Sequence, residues 1–310
     1  MTTLLFASSL DSPQTWQEAL QRSMPDYEVR VWPDAGNRAD IDYAVVWKPP
    51  ADSLRALPNL KAIFSLGAGV DYVFTNTELP EDVPVVRLID PALTEGMTEY
   101  VLYHVLRYHR HMAEYESQQR QHVWHELPQV RPGDRRIGIM GLGVIGGDAA
   151  GKLTLLGFSV AGWSRSVKRL PQVRSFFGRD QLEAFLRRSE ILVCVLPLTP
   201  DTAGILNKST LVALPRGACL ISAGRGGHVV EEDLLAALES GHIAGATLDV
   251  FRTEPLPPDH PFWTHPKVTL TPHIASITNP HTASAQVAEN IRRLQQGEAL
   301  VGVVDRQRRY

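Results

Sequence analysis

The chain has 310 residues, a formal net charge of −3, 44% hydrophobic residues and 21% charged residues. This is the balance of a soluble globular protein with room for two domains, and it gives no long block of one charge for general nucleic-acid binding. The two cysteines, Cys194 and Cys219, sit in apolar runs and are too few for a disulfide framework or a paired-cysteine zinc site. No apolar run approaches a membrane span, and "MTTLLFASSL" lacks the basic lead-in of a signal peptide, so a cytoplasmic location is expected.

Residues up to about 98 alternate short apolar runs with helical patterns. "TLLFASS", "YEVRVW", "DYAVVW", "LKAIFSLG" and "VPVVRL" read as strands, while "SPQTWQEALQRSM" and "DSLRALPNL" carry helix-like spacing. Val101, Leu102, Val105, Leu106 and Met112 then recur at helical spacing, which predicts one long helix over residues 98–118. Loop signals follow in "LPQVRPGD". From Arg136 onward six more runs read as strands: "RIGIMGLG", "FSVAGWSR", "ILVCVLPL", "ACLISAG", "AGATLDVF" and "KVTLTPH". Helical segments such as "VVEEDLLAALESGH" separate most of them, and strand-helix alternation predicts a parallel, doubly wound α/β sheet. A last helix is expected in "TASAQVAENIRRLQQGE".

Gly141, Gly143 and Gly146 form G-x-G-x-x-G between a strand and a helical segment. In that context glycine permits a tight turn and a close approach to a pyrophosphate, while the helix N-terminus offers N–H groups and partial positive charge. About twenty residues on, where a carboxylate usually meets the adenine ribose, the chain has "GWSRSVKRL". Ser164 removes the repulsion that an acidic residue would exert on a ribose 2′-phosphate. Arg165 is suited to charge-assisted bonds with that phosphate, and Ser166 and Lys168 add a hydroxyl and a second cation. A solvated basic loop is the plainer alternative. NADPH is therefore the expected cofactor, with NADH as the lesser one. Three more residues follow strands and fall on the same expected rim: Arg225, Glu254 and His273. A cation, a carboxylate and an imidazole beside a nicotinamide suit hydride chemistry on an anionic carbonyl substrate.

The ordered set "GLGVIG", "LPLTPDT", "GRGGHVVEEDLLAAL", "LDVFRTEPLP" and "TPHIA" resembles the D-isomer-specific 2-hydroxyacid dehydrogenases over nearly the whole chain. Within that family "VVWKPP", "LGAGVD", "GWSRS" and "VDRQRRY" are most similar to the glyoxylate/hydroxypyruvate reductase A type. The resemblance implies a Rossmann-type cofactor domain at residues 99–283. It implies a smaller, discontinuous flavodoxin-like α/β substrate domain at residues 1–98 and 284–310. It makes His273 the general acid, Glu254 its carboxylate partner and Arg225 the substrate-carboxylate and carbonyl contact. It places Trp47 and the Leu66, Gly67, Ala68 and Gly69 backbone at the substrate, although Trp47 also reads as a core residue at a strand end. Cofactor contacts fall on Gly141, Leu142, Gly143, Val144, Ile145, Gly146, Ser164, Arg165, Ser166, Lys168, Leu196, Pro197, Ala223, Gly224, Arg225, Asp249 and His273.

The resemblance also implies a homodimer through the cofactor domain, with Trp124 in a segment that crosses to the partner. No metal site is expected: His109 and His111 stand two apart on a predicted helix and do not face each other. One departure is Ser222, where the family commonly has asparagine. A serine cannot replace an amide with two donors, which puts the bracing of the Arg225 loop in doubt. The alternatives are a dehydrogenase of broader or larger 2-ketoacids and a nucleotide-sensing corepressor of the same fold. The filled catalytic positions and the absence of a long extension favour the enzyme.

Overall fold

The computed structural model describes residues 2–9, 11–75, 79–80 and 82–307. The last three residues of "VDRQRRY" lie outside them. The chain divides into two compact units, Met1–Leu93 with Ile277–Tyr310, and Thr94–Ser276.

The first unit opens with β1 (Thr3–Ser8), α1 (Pro13–Ser23), β2 (Glu28–Val31), β3 (Ile41–Trp47), β4 (Ala62–Ser65) and β5 (Val85–Val86). The strands lie in the order β2-β1-β3-β4-β5 and every neighbouring pair is parallel. Strands covered on both faces read as unbroken apolar runs rather than alternating ones, which is the pattern of "TLLF" and "YAVV". In α1, Pro13 occupies the first turn, where its missing N–H costs nothing, and Trp16, Ala19 and Leu20 form the buried stripe. The expected helix in "DSLRALPNL" is a series of turns. Leu54, Leu57 and Leu60 are buried at the spacing that suggested it, but the backbone takes positive φ at Asp52 (65°) and Ala56 (51°) and meets Pro58.

The chain continues through α2 (Pro91–His109), α3 (Met112–Arg120), β6 (Arg136–Met140), α4 (Val144–Leu155), β7 (Ser159–Ser164) and β8 (Arg174–Phe177). There follow α5 (Leu182–Leu186), β9 (Ile191–Cys194), α6 (Lys208–Ala213), β10 (Ala218–Ser222), α7 (Glu231–Glu239), β11 (Ile243–Leu248) and β12 (Val268–Leu270). The single long helix expected over 98–118 is broken in two at Arg110–His111, where His111 adopts φ 56°. A left-handed residue cannot continue an α-helix. The second sheet runs β12-β11-β10-β9-β6-β7-β8, all parallel, a Rossmann-type doubly wound arrangement whose strand order reverses between β6 and β9. It has seven strands where six were expected, β8 being the addition.

The chain then returns to the first unit as α8 (Pro280–Gln295). The Asn279 side chain accepts from the His281 N–H and Pro280 opens the helix. Ala283, Val287 and Ile291, spaced by four, enter the same core as Leu4, Phe6, Trp16 and Leu20.

Candidate active site

In the second unit the loops that follow β6, β7, β9, β10, β11 and β12 all leave the carboxyl ends of parallel strands, the edge at which open α/β sheets bind ligands. At the switch between β6 and β9, Gly141 has φ +103° and is pressed against the Val195 carbonyl; a Cβ there would lie 3.0 Å from that oxygen. A Cβ on Gly146 would fall 1.8 Å from the Gly141 carbonyl oxygen, so α4 packs on the turn only because both positions are glycine. Gly143, which caps α4, is exposed, and nothing stands within 4 Å of where its Cβ would be. A bare helix N-terminus over open space fits a pyrophosphate. Val144 is exposed and Ile145 half-buried, whereas Leu142 points into the core under Gly162, whose Cβ would overlap it.

Ser164 ends β7 and is buried, its Oγ donating to Ser166 O at 2.8 Å. Its hydroxyl therefore shapes the basic turn, while Arg165, Ser166 and Lys168 are exposed around it. No carboxylate stands at the strand end, so the donor set fits a phosphorylated ribose better than a free one. After β9, Leu196 is buried and Pro197 exposed. After β10, Ala223 and Gly224 are buried, and a Cβ on Gly224 would come within 2.8 Å of Leu196 O.

Arg225 is half-buried, with Nη1 donating to Gly224 O at 2.9 Å. Its backbone N–H donates to His228 Nδ1 at 3.2 Å, which puts the ring proton on Nε2, 3.2 Å from Pro197 O. His228 is wholly buried, so the histidine beside the arginine is a brace between two loops. Gly226 is tighter still: a Cβ would lie 1.9 Å from the Phe251 carbonyl carbon. The Arg225 turn and the turn that carries Glu254 are thereby interlocked through backbone. Ser222, beneath them, has a buried Oγ with no hydrogen-bond partner among the described residues.

Glu254 Oε1 accepts from Phe251 N at 3.1 Å, and Oε2 lies 2.9 Å from His273 Nδ1. A carboxylate can only accept at that distance, so the proton of the pair sits on Nδ1 and Nε2 is left as the ring's second proton site. His273 has φ +57°, a conformation tolerated better by histidine than by most residues but still uncommon. Its backbone N–H is held by Asp249 O at 2.9 Å. The Asp249 carboxylate faces inward and is 1% exposed. Oδ1 accepts from Thr271 Oγ1 (2.6 Å) and Ile274 N (2.8 Å), and Oδ2 accepts from Ala275 N (3.0 Å). Asp249, expected among the cofactor contacts, is thus built into the backbone that carries His273. Thr271 spends its one proton on Asp249, so the Tyr100 hydroxyl, 2.7 Å away, donates to Thr271. Sequence reading missed Tyr100, Thr271 and Gly226. The second glycine of "GRGG" was the one visible signal.

In the first unit, Trp47 ends β3 and lies against Gly67, where a Cβ would come 2.2 Å from its ring. Leu66 N donates to Val46 O at 2.9 Å and Gly67 N to Ser65 Oγ at 3.3 Å. Of the four backbone N–H groups expected at a substrate, two are therefore taken up, and those of Ala68 and Gly69 have no partner among the described residues.

Comparison with known proteins gives the family. The D-isomer specific 2-hydroxyacid dehydrogenase, NAD binding domain, matches residues 102–275. The glyoxylate/hydroxypyruvate reductase A of Serratia proteamaculans (strain 568) is 46% identical over 307 residues, 97% of this chain and 98% of that protein. A D-isomer specific 2-hydroxyacid dehydrogenase from Xanthobacter autotrophicus Py2, solved with NADPH and MES, is 46% identical with a TM-score of 0.96, covering 100% of this chain and 99% of that one. The NADPH-dependent glyoxylate/hydroxypyruvate reductase of Sinorhizobium meliloti, solved with NADP and sulfate, is 41% identical with a TM-score of 0.95 and covers all of both chains. A family match over more than half the sequence, with relatives this similar end to end, makes the chain a member of the D-isomer specific 2-hydroxyacid dehydrogenase family, of the glyoxylate/hydroxypyruvate reductase A type.

Proposed function

We propose that this chain is an NADPH-preferring reductase of small 2-ketoacids, taking glyoxylate to glycolate and hydroxypyruvate to D-glycerate. The observation that carries the reading is the 2.9 Å pairing of His273 with Glu254 beside the Arg225 turn, on the strand edge that holds the glycine loop. The activities named for the Serratia and Sinorhizobium relatives support the substrate class, and the NADPH and NADP in the solved relatives support the cofactor.

The second unit is the cofactor domain and the first is the substrate domain. Gly141–Gly146 and the N-terminus of α4 take the pyrophosphate; Arg165 with Ser166 and Lys168 takes the 2′-phosphate. NADPH, when bound, supplies the hydride. His273 Nε2 gives a proton to the substrate's carbonyl oxygen, and Glu254, bonded to Nδ1, orients the ring. Arg225 holds the substrate carboxylate and polarises the carbonyl, an interaction that grows as negative charge develops on oxygen. In the first unit the N–H groups of Ala68 and Gly69 are assigned to the carboxylate and Trp47 to the pocket wall.

The chain is proposed to form a homodimer through the cofactor domain. Tyr103, Leu106, Met112 and Val123 are exposed apolar residues along α2, α3 and the segment beyond, and Trp124 is 99% exposed. Exposed apolar side chains at these positions support the assignment of this segment to the dimer contact. No helix among the described residues is long and apolar enough to cross a membrane, and a cytoplasmic location is proposed.

Steady-state rates on a panel of 2-ketoacids with NADPH and NADH test the reading. Turnover of glyoxylate and hydroxypyruvate with NADPH is expected to exceed that of larger 2-ketoacids, and turnover of none of them would overturn it. Light scattering of wild type and Trp124→Glu tests the dimer.

A further inference from the structure

We propose that Tyr72, acting through Ser65, is a positioning residue that aims the 66–69 loop, so that the Ala68 and Gly69 N–H groups present themselves as a pair to a substrate carboxylate. The inference rests on the assignment of that loop to the carboxylate.

Ser65 is buried, its Oγ accepts from Gly67 N at 3.3 Å, and it lies 2.6 Å from Tyr72 Oη. Tyr72 Oη is in turn 3.0 Å from Val46 O, which can only accept. Each hydroxyl has one proton. With the Tyr72 proton on Val46 O, Ser65 donates to Tyr72, and a chain runs from the Gly67 N–H through Ser65 and Tyr72 to the end of β3. In the reverse arrangement Tyr72 donates to Ser65 and Ser65 to Gly67 O, and the Tyr72 hydroxyl is bonded to Ser65 in both. In the first arrangement the Ser65 proton has two other acceptors in reach, Gly67 O at 3.2 Å and Gly69 O at 3.5 Å. Without the Tyr72 hydroxyl it must turn to one of these, and so pull on the loop it now supports.

Packing works in the same direction. The Tyr72 ring meets Trp47 edge-on, with centroids 4.8 Å apart, and Trp47 lies on Gly67. Leu66 O accepts from Thr278 Oγ1 at 2.6 Å. The loop is held at Leu66 and Gly67, and the adjacent pair that follows, Ala68 and Gly69, has N–H groups without a partner among the described residues. Adjacent N–H groups on a fixed turn suit the two oxygens of a carboxylate, and fixing them in advance removes an ordering cost from binding.

The test is Tyr72→Phe, which keeps the ring against Trp47 and removes only the hydroxyl. The KM for glyoxylate and the inhibition constant of oxamate, a 2-ketoacid isostere with no reducible carbonyl, are expected to rise together by about 3- to 10-fold, the scale of one net hydrogen bond. The change in kcat is expected to be smaller than about twofold and the KM for NADPH to stay put, the signature of lost ground-state binding. Ser65→Ala should act the same way, and the double variant should be little worse than either single one, because both break one chain. Tyr72→Phe with wild-type glyoxylate and oxamate constants overturns the inference, as does a loss in which kcat and NADPH affinity fall in step. Wild-type protein in the same assay keeps the two proposals apart: if it turns over no 2-ketoacid, the functional reading fails and the inference with it. If it is active while Tyr72→Phe matches it, only the inference fails.

Discussion

At the scale of single residues, the candidate site depends on positions where one side chain, or none, fits. His273→Ala is expected to lower kcat by about 10²-fold or more with a smaller change in NADPH affinity, the scale of a lost general acid; near-normal reduction at neutral pH would remove His273 from that role. Gly226→Ala would drive a methyl into the Phe251 carbonyl carbon, 1.9 Å away. It is expected to cost about 1–3 kcal/mol of stability by urea unfolding and to raise the KM for the ketoacid by moving the Arg225 turn. A variant that melts normally and keeps its KM would show that the interlock can relax. At the basic turn, Ser164→Asp with Arg165→Ala is expected to cut the preference for NADPH over NADH by one to two decades. One charge-assisted hydrogen bond contributes about 1.5–3 kcal/mol and each tenfold is about 1.4 kcal/mol. A strong NADPH preference in that double variant would make the exposed basic turn a solvated loop.

Among the elements, α2 meets its sheet through polar side chains as well as apolar ones. Tyr100 reaches Thr271, Tyr108 reaches Thr247, and His104 Nδ1 lies 3.3 Å from Thr247 Oγ1. His104 is 3% exposed, and burial, with the nearby Arg107 charge, holds its pKa down from 6.5 to about 4. A depressed histidine stays neutral in the folded chain while the unfolded chain binds a proton below about pH 6.5. Its contribution is therefore whole above that pH and is lost as pH falls towards 4, with a slope of at most about 1.4 kcal/mol per pH unit. His104→Gln should flatten the stability profile of the second unit between about pH 6.5 and 4 in urea unfolding. An unchanged slope would assign the acid sensitivity to other groups. The strands were the legible part of the sequence, because a parallel strand buried on both faces leaves an unbroken apolar run. β8 escaped because "RSFF" begins with a cation and is only four residues long. The break at His111 escaped because the apolar spacing continues across it. Glycine loop, arginine, glutamate and histidine stood at strand ends in recognisable order. The inward turn of Asp249 and the proton chain through Ser65 and Tyr72 did not show, since side-chain hydrogen bonds between distant segments leave no period in the sequence.

For the whole molecule, the first unit is assembled from the two ends of the chain. Ile291 is 1% exposed in a core shared with Leu4, Phe6, Trp16 and Leu20. Ile291→Ala is expected to destabilise that unit by about 2–4 kcal/mol, read as an earlier urea transition for the first unit than for the second; a single unshifted transition would count against it. The same arrangement bears on how the protein is made. A ribosome releases β1 to β5 first, but the helix that covers the Trp16 and Leu20 face of α1 leaves the tunnel only after the whole of residues 94–276. The second unit, continuous in sequence, is free to fold during translation, whereas the earlier-born strands must wait with apolar surface showing. Domains usually fold in order of synthesis; here the order is inverted, and nascent chains arrested once residue 276 has cleared the tunnel should carry a protease-resistant second unit behind a protease-sensitive beginning.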